Sequence, residues 1–112
     1  MNPSWMVTPE KVQTAVKKII ELNHPRRIIL FGSYVRKNVT ANSDLDILVV
    51  TGDEVTNPRM ESVRIRRVLR DIDMSMDILV IQEGVLNELA DAPGMIYREI
   101  LREGETVYES SE

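Results

Sequence analysis

Leu30-Phe31-Gly32-Ser33, followed after ten residues by Asp44-Leu45-Asp46, is the stretch on which the reading of this chain turns. Residues 27–31 are short, apolar and flanked by turn formers, which predicts a buried strand closed by Gly32-Ser33. Residues 34–37 suit a short helical turn. Residues 38–43, crowded with Asn, Thr and Ser, suit a loop. Residues 44–50 predict a second strand, with Leu45, Ile47 and Val49 on one face and Asp44, Asp46 and Leu48 on the other. Two acids on one face of a strand that ends in Ile47-Leu48-Val49-Val50 is an odd pattern for a purely structural strand. Gly32 lets the backbone come close to a phosphate with no Cβ in the way. The Ser33 hydroxyl and the amides of the following turn can donate to phosphate oxygens. Asp44 and Asp46 project the same way and can share a divalent cation, without which two like charges so close are costly. The plain alternative is a β-turn Gly-Ser and a solvent-facing acidic strand.

Outward from this stretch, a first helix is predicted over residues 9–22. Thr8 is its N-cap and Pro9 its first position. Val12, Val16, Ile19 and Ile20 form the apolar face, and Lys11, Lys17, Lys18 and Glu21 the polar one. Residues 57–72 predict the longest helix, with Pro58 near its start and Val63, Ile65, Val68, Leu69 and Ile72 on its inner side. Residues 76–81 predict a third strand. Asp77 interrupts its apolar run and is the expected partner of Asp44 and Asp46, although an edge-strand acid facing water would look the same. Three carboxylates on adjacent strands suit two-metal, in-line phosphoryl transfer. Residues 85–90 and 95–102 predict helices separated by Asp91-Ala92-Pro93-Gly94. Residues 104–108 predict a Gly stop and a short last strand, and residues 109–112 a frayed tail. The fold class expected is α/β (α+β): a small mixed sheet of three to four strands, with helices packed on it to hide its apolar side. Strands one and two should be antiparallel neighbours, and the strand after the long helix parallel to one of them.

The chain has 112 residues, which the length prior reads as one domain over 1–112, with a core of about 9–108 and flexible termini. The formal net charge is −4, a poor basis for coating duplex DNA, since that binding neutralises phosphates. There is no cysteine, which excludes disulfide scaffolds, zinc ribbons and cysteine nucleophiles. A single histidine excludes multi-His metal sites, so a metal would be held by oxygen and be Mg²⁺, Mn²⁺ or Ca²⁺. No apolar run approaches the roughly 20 residues needed to span a bilayer, and the N-terminus does not read as a secretion signal. A cytoplasmic location is the default expectation.

Gly32-Ser33-Tyr34-Val35-Arg36 and Ser43-Asp44-Leu45-Asp46-Ile47-Leu48-Val49 together resemble the signature of the DNA polymerase β-like nucleotidyltransferase superfamily. The closest look is to the minimal nucleotidyltransferases, short proteins often paired with HEPN-domain partners. The resemblance spans about residues 12–108 and is specific over residues 32–49. It implies that Gly32 and Ser33 hold the β- and γ-phosphates of a nucleotide. It implies that Asp44 and Asp46 bind both of two Mg²⁺ ions (Mn²⁺ being an alternative), with Asp77 the third acid. Arg36 would approach the triphosphate or brace the loop, and Ser43 would orient the acidic strand. Lys37 departs from the pattern, standing where the family commonly has Gly. The implied activity is transfer of a nucleoside monophosphate, AMP from ATP, to a hydroxyl. The acceptor would be offered by a HEPN-like partner protein or a second copy of the chain, as in the antitoxin half of a toxin–antitoxin pair. Less favoured acceptors are an RNA end or an aminoglycoside-type small molecule. Two other classes stay open: a non-catalytic antitoxin acting by contact alone, and a nucleotide-sensing module.

Other residues have two readings each. Arg59, Arg64, Arg66, Arg67 and Arg70 form either a docking face for an acidic partner or RNA, or a solvated helix side paired with Glu61 and Asp71. Asp71 and Asp73 fall at the helix end and rank below Asp77 as the third acid. His24 reads as a helix-terminal residue rather than a general base, and Trp5 falls in a segment expected to be mobile. Ile96 with Ile100, and Tyr97 with Leu101, read as core pairs, the alternative being a partner interface.

Overall fold

The computed structural model describes residues 3–40 and 42–111. In chain order it consists of α1 (Pro9–Asn23), β1 (Arg27–Phe31), β2 (Leu45–Thr51), α2 (Pro58–Val68), β3 (Met76–Gln82), α3 (Glu83–Leu89), α4 (Ile96–Glu103) and β4 (Glu105–Glu109). The start of α1 follows its local code: the Thr8 hydroxyl accepts from the Lys11 amide at 3.3 Å, and Pro9 occupies the first turn. It ends on His24, whose φ of 53° is left-handed and whose amide donates to the Ile20 carbonyl. Asn57 caps α2 in the same way, accepting from the Met60 amide at 3.2 Å.

α2 is shorter than the spacing of its apolar residues suggests. It stops at Val68, and Leu69 to Met74 descend through tight turns, with Ile72 donating to Leu69 and Met74 to Ile72. Val63 is exposed while Ile65 is fully buried. Two residues apart on a helix is about 200° of rotation, so these two cannot share one inner stripe.

The four strands form one mixed sheet in the order β3-β2-β1-β4. β1 is antiparallel to β2 with Phe31 opposite Asp46, and antiparallel to β4 with a register shift at Ile28/Ile29. β2 and β3 run parallel, with Asp46 opposite Asp77. Both faces of the sheet are covered, not one. Leu45, Ile47, Val49, Ile28, Leu30 and Ile78 pack with Val12, Ala15 and Ile19 of α1 and Ile65 of α2. Ile29, Leu48, Val50 and Ile81 pack with Leu86 of α3 and Ile100 of α4. The unbroken apolar run of β2 follows from this, because a central strand buried on both faces has no reason to alternate.

Both ends of the described chain are tied down. Lys11 reaches from α1 to donate through Nζ to the carbonyls of Met6 at 3.1 Å, Asp73 at 2.7 Å and Ser4. With buried Val7, this holds the segment before α1, although Trp5 on it is exposed. The residues expected to fray from 109 on are held in part: Glu109 ends β4 and Ser110 donates to the Arg26 carbonyl at 2.8 Å. Glu112, the last of that expected tail, and position 41 of the expected loop lie outside the described residues. None of the helices among them is long and apolar enough to cross a membrane.

Candidate active site

A cavity of about 340 Å³ opens at one end of the sheet, on the face covered by α4. β2 and β3 enter it side by side, which brings Asp46 and Asp77 into register on that face. β1 leaves through Phe31 into a turn over residues 32–38, closed by hydrogen bonds from Arg36 to the Gly32 carbonyl, Lys37 to Tyr34 and Asn38 to Ser33. Gly32 has a φ of +79°, and a Cβ there would lie 2.0 Å from Asp46 Oδ2. The carboxylate of the second acid therefore rests directly against the Gly32 backbone, and only a residue without a side chain permits it. Residues 34–37 form the short hydrogen-bonded turn expected there, and Lys37 holds a left-handed φ of 59°.

Asp46 is half-buried, and its carboxyl is pushed above the ordinary aspartate value. Burial is the largest cause, followed by the charges of Asp77 and Asp44, while Arg36 pulls the other way. The site is thus a patch of like charge, moderated at Asp46 by Arg36. Asp44 lies before the start of β2 and accepts a hydrogen bond from Ser75 Oγ. Asp77 stands 3.6 Å from Arg66 of α2. With those partners, the three carboxylates neighbour one another without closing on a point. Among the described residues no group of three or more such side chains is drawn tightly enough to hold a metal ion as it stands. The donor set nevertheless suits a hard divalent cation: it is all oxygen, it is anionic, and its mutual repulsion disfavours ionised Asp46 in a way a bound cation would relieve.

Of the other residues singled out in the sequence, Gly32 and Arg36 line the cavity, and Ser33 lies on the turn behind it without being part of its wall. Ser43 closes the loop before β2: its Oγ accepts from the Thr40 amide at 2.9 Å and its own amide donates to the Thr40 carbonyl. Sequence reasoning missed the opposite wall, made by Ile96, Glu99, Ile100 and Glu103 of α4. Ile96 is exposed at the cavity rather than paired with Ile100 in the core. The 3.6-residue spacing of 96, 99, 100 and 103 marks one helical face, but nothing in it says which sheet end that face meets. Arg66 was likewise legible only as one of five arginines. His24 is an exposed helix cap, remote from this wall.

Comparison with known proteins is in keeping with this geometry. No curated protein matches the chain at a significant level. A crystal structure from Sulfolobus solfataricus, described as a candidate nucleotidyltransferase, superposes with a TM-score of 0.62 at 18% identity, covering 92% of this chain and 81% of that one. A toxin–antitoxin structure solved with AMP-PNP superposes with a TM-score of 0.63 at 22% identity, covering 88% of this chain and 74% of that one. At those identities the likeness is one of fold. The family model described as "Polymerase beta, Nucleotidyltransferase" matches residues 14–112. A match over nearly the whole chain, on a mixed sheet that carries paired aspartates beside a glycine turn, means that this chain belongs to the polymerase β nucleotidyltransferase family.

Proposed function

We propose that the protein is a metal-dependent nucleotidyltransferase that moves AMP from ATP to a hydroxyl on a partner protein. The observation that carries this reading is Asp46 resting on Gly32 with Asp77 opposite it in register, inside an open cavity. In this reading Asp44, Asp46 and Asp77 hold Mg²⁺. When bound, the metal neutralises the triphosphate and lowers the pKa of the acceptor hydroxyl. The chain's own part is positioning. Gly32 leaves room for the phosphates to approach the backbone, and Ser33 with the leading amides of the turn donates to their oxygens. Arg36, in the cavity lining, adds a cation that acts on Asp46. Ser43 fixes the loop from which Asp44 emerges. Phe31, Val35, Leu79 and Ile96 give the cavity an apolar lining beside the acids.

A cavity of about 340 Å³ leaves little room for a large acceptor beside a nucleotide, which supports a reading in which another chain brings the acceptor hydroxyl. A HEPN-type toxin is the partner favoured by the resemblance over residues 32–49. A relative in fold was solved as a toxin–antitoxin assembly with an adenine nucleotide analogue, which supports the same direction. The test is incubation with α-labelled ATP, Mg²⁺ and the product of a neighbouring gene. Label should move to that protein with the native chain and not with Asp44→Asn or Asp46→Asn, while binding of the partner persists. Undiminished neutralisation of the partner by both variants would instead favour inhibition by contact alone.

A further inference from the structure

Arg66 belongs to α2, on the sheet face opposite the cavity, yet its side chain meets the site. β3 is the edge strand of the sheet, and the guanidinium passes over that open edge. Its Nη2 donates to the Ile78 carbonyl at 3.2 Å and stands 3.6 Å from Asp77 Oδ1. Of the five arginines of this region, Arg64 is paired with Glu61 within the helix, and Arg66 is the one that meets an acid of the site. The carboxylate that should complete a divalent-cation site therefore already has a guanidinium of the same chain beside it.

We propose that Arg66 is a positioning residue that acts through Asp77: its guanidinium is the counter-ion of that carboxylate until a divalent cation replaces it. The proposal rests on the metal-dependent reading above. A guanidinium and a metal ion compete for the same oxygens, and two cations around one carboxylate repel each other. Entry of the ion thus releases Arg66 from Asp77 Oδ1, while the bond to the Ile78 carbonyl keeps the guanidinium at the sheet edge. Both partners are about half exposed, so the exchange costs little and metal affinity is tuned rather than abolished.

The experiment is a Mn²⁺ titration of the 112-residue chain at low ionic strength, with free Mn²⁺ read by electron paramagnetic resonance. Arg66→Gln and Arg66→Met should each bind about two- to fivefold more tightly than the native chain, the range expected for losing a partly exposed ion pair. Arg66→Lys should stay within about twofold of native, because the charge remains. Arg70→Gln removes the same charge four residues further along, past the end of α2, and should change affinity less than Arg66→Gln. In an Asp77→Asn background Arg66→Gln should have no effect, and in high salt its gain should shrink. Weaker binding in both neutral variants would mean that Arg66 only props the strand, and would overturn the proposal. Equal effects of Arg66→Gln and Arg70→Gln, or an effect that survives Asp77→Asn, would overturn it too. Absence of Mn²⁺ binding in every variant, native included, would overturn the metal-dependent reading and this inference with it.

Discussion

Gly32 and Gly94 share a left-handed backbone but differ in surroundings, and the difference separates conformational cost from steric cost. Gly32 has φ +79° and a Cβ there would meet Asp46 Oδ2, whereas Gly94 has φ +80° and nothing within 4 Å. Gly32→Ala should destabilise by about 1–3 kcal/mol and Gly94→Ala by the lower end of that range, read from urea denaturation midpoints. Only Gly32→Ala should also remove nucleotidyl transfer, since the added methyl displaces the Asp46 carboxylate. Asp46 itself carries a pH signature. Its carboxyl titrates above the ordinary value because of burial, Asp77 and Asp44. The folded state then holds the proton more tightly than the unfolded one. That contribution is fully present below the ordinary aspartate pKa of about 3.9 and is lost as pH rises through the raised folded value. In the presence of a chelator, Asp46→Asn should therefore melt at a higher temperature than native at pH 7, and the gap should close as the pH is lowered towards 4. A gap that instead widens on acidification would contradict the sign of this shift.

At the scale of elements, the turn between β1 and β2 stores strain at one named place. Lys37 occupies φ 59°, and it does so at the position where the motif it resembles commonly carries Gly. A left-handed non-glycine residue costs roughly 1–2 kcal/mol, and Gly gives back about 0.5–1 kcal/mol of that in unfolded-chain entropy. Lys37→Gly should stabilise the protein by about 0.5–1 kcal/mol in chemical denaturation, with transfer activity retained because Lys37 is not part of the cavity wall. α2 teaches a related lesson. Its arginines look like one polar face, but the structure sends them to different ends: Arg64 to Glu61 at 3.1 Å within the helix, Arg66 across the edge of β3 to Asp77.

Over the whole molecule, two helical layers enclose the central strands, and the acids emerge where the second layer stops short of the sheet end. α4 supplies the far wall with Glu99 and Glu103, so the cavity is strongly anionic on a chain of net charge −4. A bare nucleotide should bind poorly there and a nucleotide with Mg²⁺ well, because the cation screens phosphate from carboxylate. At about 100 times its dissociation constant, Mg²⁺–ATP should add about 2.7 kcal/mol, which for a chain of this size raises Tm by roughly 10 °C. ATP with chelator should give no such shift, nor should Mg²⁺–ATP added to Asp46→Asn. A thermal shift assay with the four combinations checks this directly.

Local order along the chain was enough to place the elements (though not the end of α2), the capping of α1 by Thr8 and the antiparallel pairing of β1 with β2, because each depends on neighbours in sequence: side-chain period, a cap three residues away, a short connection. The same holds for the glycine turn and the Asp-x-Asp pair, whose shared face follows from the two-residue repeat of a strand. What only tertiary packing decided is everything set by contact between distant segments. Burial of both faces of β2, the place of β4 beside β1, and the register that sets Asp77 against Asp46 arise from the way helices α1 to α4 close over the sheet. Arg66 and Asp77 are separated by a helix end and a turn, and Glu99 lies farther still from Gly32. No local period encodes such meetings, since they are fixed by how whole surfaces fit together and not by the spacing of residues along one of them.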